Sequence, residues 1–96
     1  MNFLQRHFEI VAAKNGAEGL EIYQKNHDQV KLILSDFEMP VLNGPKMSQL
    51  IREYEREIRK RDAVTIVGLT GHDSDEIKDK GLLSGMNKVL SKPPTM

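Results

Sequence analysis

Leu32, Ile33 and Leu34 form an unbroken apolar run that leads through Ser35 into Asp36. Such a run, without polar alternation, suits a strand buried on both faces in the middle of a parallel sheet. Turn signals at Pro40 and Gly44 follow, so Asp36 stands where a strand gives way to a loop. In open α/β sheets that carboxyl edge is where sites form. A buried carboxylate is costly unless it has a partner or a task. What the rest of the chain brings to Asp36 therefore bears on both fold and function.

Before this run, Met1 to His7 is short and mixed and could be the tail of a helix, with Phe3 and Leu4 as its apolar contacts. Phe8 to Ala13 reads as a strand, and Asn15-Gly16 is a turn signal. Ala17 to Asn26 reads as a helix with Ala17, Leu20 and Tyr23 on one face. After the central strand, Val30 to Ser35, a longer helix is expected from Gly44 or Pro45, since proline is tolerated in a first helical turn. Met47, Leu50, Ile51, Tyr54 and Ile58 give it an amphipathic stripe, read as core packing. Arg52, Glu53, Arg56, Glu57, Arg59, Lys60 and Arg61 mix signs at helical spacing and read as a solvated face.

Val64 to Leu69 reads as a second buried strand ending at Thr70 and Gly71. Asp73 and Ser74 are good N-cap residues, and the helix after them is expected to run to Ser84 with Gly85 as its C-cap. Lys88 to Ser91 is a last short strand, closed by Lys92-Pro93-Pro94. Strands alternating with helices in this way predict a parallel α/β sheet with right-handed crossovers.

A chain of 96 residues is enough for one small domain, taken as residues 1–96. Basic and acidic residues balance at 14 each, which argues against a nucleic-acid partner held by bulk electrostatics. There is no cysteine, so disulfides and thiolate metal sites are excluded. No apolar run approaches the roughly 20 residues of a membrane span, and no signal-peptide pattern opens the chain. The expected setting is cytoplasmic. His7, His27 and His72 show no metal-ligand spacing, and His72 reads as a loop residue.

Three strands end in functional side chains, Asp36, Thr70 and Lys92, and a parallel sheet brings those ends to one edge. A carboxylate, a hydroxyl and an ammonium suit phosphoryl transfer to a carboxylate, with Asp36 as nucleophile. Lys92 would meet the phosphoryl oxygens and Thr70 would donate a hydrogen bond to one of them. Taken singly, Asp36 could be a turn former, Thr70 a plain strand-end hydroxyl and Lys92 a solvated lysine.

With these residues in view, the sequence resembles the receiver domain of response regulators and hybrid histidine kinases. The likeness rests on Asp36 followed by Met39-Pro40 and Gly44, on Leu69-Thr70, on Gly85-Met86, and on Leu90-Ser91-Lys92-Pro93. Asn15-Gly16 with Gly19-Leu20 fits as well, so nearly the whole chain is covered. The resemblance implies a flavodoxin-like (CheY-like) doubly wound parallel sheet. It implies Asp36 as phosphoacceptor, Thr70 as switch hydroxyl, Lys92 as its cationic partner and a cis Lys92-Pro93 bond. It also implies Mg2+ held by Asp36 and the backbone carbonyl of Glu38, whose side chain reads as solvated. The phosphodonor would be a histidine kinase or a histidine phosphotransfer protein.

The sequence departs from that pattern. The family's first strand, which ends in a magnesium-holding acidic pair, most of the helix after it and the last helix have no counterpart here. Magnesium binding is therefore expected to be weakened or lost. In the family's strand order the missing strand lies between the Phe8 and Leu32 strands, so either these close up, or a second copy contributes something, or the Phe8 segment packs irregularly. Self-association is expected to be a risk. Val89 stands where the family often has an aromatic residue, which removes a tyrosine-type switch. An alternative is a pseudo-receiver that binds partners without being phosphorylated. A dehalogenase-type phosphatase is disfavoured, because Glu38 stands where its second aspartate would be.

Overall fold

Three side chains start the three helices. Asn15 accepts hydrogen bonds from the amides of Ala17 (2.9 Å) and Glu18 (3.3 Å). Asn43 accepts from Lys46 (2.9 Å) and Ser74 from Ile77 (3.2 Å). Each cap satisfies amides that a helix leaves unpaired in its first turn. The computed structural model describes residues 10–13, 15–38, 42–59, 63–72 and 74–92. Their order is β1 (Ile10–Ala13), α1 (Gly16–Asn26), β2 (Leu32–Asp36), α2 (Gly44–Tyr54), a π-helical turn (Glu55–Arg59), β3 (Thr65–Thr70), α3 (Asp75–Leu83) and β4 (Lys88–Ser91). Asn43→Ala is expected to cost about 1 kcal/mol and to lower Tm by roughly 4–8 °C in a domain this small, read from a thermal melt.

The alternation expected of strands and helices is present, and the architecture is the expected α/β parallel sheet. All four strands pair in parallel in the order β1-β2-β3-β4. Of the expected alternatives, closing up is the one adopted: β1 pairs directly with β2, from Ile10 opposite Leu32 to Ala13 opposite Ser35. Phe8 and Glu9 lie outside the described residues.

Burial alternates along β1, β2 and β3, and in β4 only Val89 is buried. Val11, Ala13, Ile33, Ser35, Ile66, Gly68, Thr70 and Val89 are buried on one face. The helices pack there: Gly19 lies against Ala13 and Met47, Gly44 against Ser35, and Gly81 against Phe37 and Val89. The opposite face carries Ile10, which is 62% exposed, Leu90, which is 43% exposed, and the half-buried Leu32, Leu34, Val67 and Leu69. Leu32 and Leu34 are thus not covered as a strand buried on both faces would be. Among the described residues the three helices share one face, which leaves the other open to solvent.

Tyr23, Met47 and Ile51 are fully buried and centre the core, as their helical spacing implied. Ala17 is exposed instead, because the inward positions of α1 are Gly16, which approaches Leu42 in the loop before α2, and Gly19, which approaches Ala13 of β1 and Met47 of α2. The charged run after Ile51 is not wholly a solvated face. The Arg52 side chain is 15% exposed and Glu55 is 6% exposed, with Nη1 2.8 Å from Oε1. Glu55 also accepts hydrogen bonds from the Tyr23 hydroxyl and the Val64 amide, both at 2.8 Å. Both bonds come from the residue before β3 and the inner side of α1, and Glu55 lies four residues after the buried Ile51 on the same face of an α-helical backbone, so it points inward. Arg56 and Glu57 are exposed as expected, and Lys60 and Arg61 lie outside the described residues. No helix among the described residues is long and apolar enough to cross a membrane.

Candidate functional site

The carboxyl edge of the sheet gathers the three strand-end residues. Asp36 is the last residue of β2, and Lys92 follows β4 directly. The Lys92 ammonium lies 3.0 Å from Asp36 Oδ1, with the two side chains 39% and 34% exposed. The pair spans the sheet because β3 lies between the two strands and ties itself to both ends. The Lys92 amide donates to the Thr70 carbonyl at 2.7 Å, and the Phe37 amide donates to the Leu69 carbonyl at 2.9 Å.

Thr70 ends β3 and is fully buried. Its hydroxyl oxygen accepts a hydrogen bond from the His72 amide at 3.0 Å, which leaves the hydroxyl proton for donation. The link between Thr70 and Lys92 is through the backbone. His72, read as a plain loop residue, is thus a neighbour of the site, and its ring lies 4.0 Å from the Glu38 carboxylate. Both side chains are more than half exposed, which fits a solvated Glu38.

Backbone packing sets the approach to Asp36. The Gly44 amide donates to the Phe37 carbonyl at 3.1 Å, closing the loop after β2. A Cβ on Gly44 would come within 2.4 Å of the Asp36 carbonyl oxygen, so only glycine lets α2 start this close to the site. Phe37 is buried against Gly68 and Gly81 and anchors the loop from below. Phe37 and Asn43 thus support the site from outside the motif residues that mark it in the sequence. The Asn-Gly-Pro sequence before a helical stripe was the available signal for the cap. Met39, Pro40 and Pro93, and with Pro93 the expected cis bond, lie outside the described residues.

Two oxygen groups could face a cation here, the Asp36 carboxylate and the Glu38 carbonyl. Among the described residues no group of three or more His, Cys, Asp or Glu side chains could hold a metal ion. The Lys92 ammonium is paired with Asp36, so the pair carries no net negative charge. Magnesium, however, commonly takes only one or two protein carboxylates and completes its octahedron with water and phosphate oxygens. The oxygens present fit that minimal mode.

Comparison with known proteins gives a consistent answer. The response regulator receiver domain family matches residues 1–96. Hybrid signal transduction histidine kinase M of Dictyostelium discoideum is 34% identical over 94 residues, 97% of this chain and 4% of the kinase. Sensor histidine kinase RcsC of Escherichia coli K12 is 32% identical over 89 residues, 93% of this chain and 8% of that protein. The chain therefore spans a small fraction of these relatives. Among solved structures, the receiver domain of Saccharomyces cerevisiae Ssk1, crystallised with the histidine phosphotransfer protein Ypd1, superposes with a TM-score of 0.73. It is 39% identical, and the match covers 84% of this chain and 59% of that one.

Proposed function

The chain belongs to the response regulator receiver domain family, and from that premise we propose that residues 1–96, a single partial receiver, take a phosphoryl group from a phosphohistidine onto Asp36. The observation that carries this reading is the 3.0 Å pairing of Asp36 with Lys92 at the carboxyl edge of a parallel sheet. In the transfer, an Asp36 carboxylate oxygen bonds to phosphorus, the phosphorus–nitrogen bond breaks, and the imidazole leaves with the electron pair. The product is an acyl phosphate. The phosphoryl group is metaphosphate-like in transit, with charge spread over its equatorial oxygens, so catalysis is mostly positioning and charge stabilisation. Lys92 supplies a fixed cation beside those oxygens, and the Thr70 hydroxyl supplies a donor from the neighbouring strand. Magnesium, held by the Asp36 carboxylate and the Glu38 carbonyl, would neutralise further phosphoryl charge.

The donor would be a histidine kinase or a histidine phosphotransfer protein, by likeness to the yeast receiver crystallised with such a protein. These partners suggest a cytoplasmic setting. The test is incubation with acetyl phosphate and magnesium followed by intact-mass and peptide mass spectrometry. One phosphoryl adduct, on Asp36, is expected. A folded chain that binds a phosphotransfer protein and forms no adduct would instead be a pseudo-receiver.

We also propose that the isolated chain self-associates. The open face presents Ile10 and Leu90 with a half-buried apolar floor, and parallel sheets are ordinarily covered on both faces. In a pure solution a second copy can supply such a cover. Sedimentation velocity should show weight-average mass rising with concentration, and Ile10→Ser with Leu90→Ser should suppress the rise. A mass independent of concentration would refute it.

A further inference from the structure

The edge strand that delivers Lys92 is held by few apolar contacts. β4 has four residues, and only Val89 among them is buried. A slip of one residue along β3 would move the strand by about 3.3 Å and turn every side chain to the other face. Lys92 would then leave Asp36.

A polar clamp holds the other end of β4. The Asn87 amide donates to the Ile66 carbonyl at 2.8 Å, and its side-chain oxygen accepts from the Ile66 amide at 2.8 Å. Asn87 therefore satisfies both backbone groups of Ile66 and fixes which residue of β3 faces the start of β4. Arg52 secures this clamp from α2. Its Nη2 donates to the same Asn87 oxygen at 2.9 Å, its Nε to the Gly85 carbonyl at 2.9 Å, and its Nη1 to the Val64 carbonyl at 2.8 Å. Gly85 turns the chain at a φ of 113° directly against the Arg52 stem, where a Cβ would meet Arg52 Cγ at 2.7 Å. One guanidinium thus joins the start of β3 to the turn that begins β4.

We propose that Arg52 is a positioning residue for phosphoryl transfer at Asp36: through Asn87 and Gly85 it locks β4 in the register that brings Lys92 to Asp36. The proposal takes its chemistry from the phosphoacceptor reading, while its geometry stands apart from it. Arg52 touches neither Asp36 nor Lys92 and acts from the opposite end of β3 and β4.

Zero-length cross-linking with a water-soluble carbodiimide tests the lock without any phosphoryl chemistry. The reagent activates the Asp36 carboxylate, the Lys92 amine displaces the urea, and the isopeptide is counted by peptide mass spectrometry. Native chain should give the 36–92 cross-link. Arg52→Lys should lower its yield several-fold, since one ammonium cannot hold Asn87, Gly85 and Val64 together. Asn87→Ala, at an exposed position, should do the same, and Asn87→Asp, which keeps the acceptor oxygen, should restore it. Amide exchange at Ile33 and Ser35 should stay slow throughout. A native cross-link yield in Asn87→Ala and Arg52→Lys would overturn the proposal, as would a loss that merely tracks faster exchange in β2. If the cross-link behaves as expected and no variant forms an adduct on Asp36, the register lock stands and the phosphoacceptor reading falls.

Discussion

Asp36→Asn is expected to abolish phosphoryl labelling by acetyl phosphate, and Lys92→Met to slow it by about two orders of magnitude or more. The first follows from the bond formed: an amide has no carboxylate oxygen to give an acyl phosphate. The second follows from charge. Removing one preorganised donor at a developing anion typically costs a factor of about 10²–10³, and Lys92 is paired with Asp36 at 3.0 Å. Lys92→Arg should fall between native and Lys92→Met, because a planar fork does not reproduce a compact ammonium at the same place. Neither change should unfold the chain. With both side chains more than a third exposed, the ion pair contributes only about 0–1 kcal/mol to stability. Labelling rate and thermal melt should therefore separate: large changes in the first, small ones in the second. Undiminished labelling of Asp36→Asn would move the acceptor elsewhere.

The same separation shows which parts of the molecule were legible in its sequence. Strand ends are marked by the switch from an apolar run to a polar residue and a glycine or proline, so the sequence itself places Asp36, Thr70 and Lys92 on one edge. The end of β4 at Ser91 was legible for the same reason, and the cap of α3 at Ser74 from a hydroxyl side chain ahead of an acidic first turn. Two features were not. Glu55 lies in a run of alternating charges, and nothing local distinguishes a carboxylate that will accept the Val64 amide from one that will face water. Its place is set by helical spacing, four residues after Ile51 and eight after Met47, but a charged side chain at such a position reads as solvated until its buried partners are known. The open sheet face was hidden too, because the apolar run Leu32 to Leu34 reads alike whether one face or both are covered. Only the placement of all three helices beside Ala13, Ser35 and Val89 separates the cases.

Glu55→Ala should be the most destabilising single change at a charged residue of α2 and its π-turn, at about 3–5 kcal/mol. That is the cost of leaving the other member of a buried ion pair uncompensated, and here Arg52 would keep its charge with a side chain only 15% exposed. The Tyr23 hydroxyl and the Val64 amide lose the same acceptor, and an unsatisfied buried donor costs about 1–3 kcal/mol. These contributions overlap and do not simply add. Against a total stability of roughly 5–15 kcal/mol for a domain, most of the margin is at stake. Tm should fall by on the order of 15–30 °C. Glu55→Gln, which keeps one acceptor oxygen, should lose less, and Glu57→Ala, at an exposed neighbour, should stay within about 0.5 kcal/mol of native. The double change Arg52→Leu with Glu55→Leu should recover part of the loss, because no charge is then left stranded in the interior. Its labelling rate should still fall, since β4 would lack the guanidinium that holds Asn87. Stability regained without the rate regained is what a register lock, rather than a simple brace, requires.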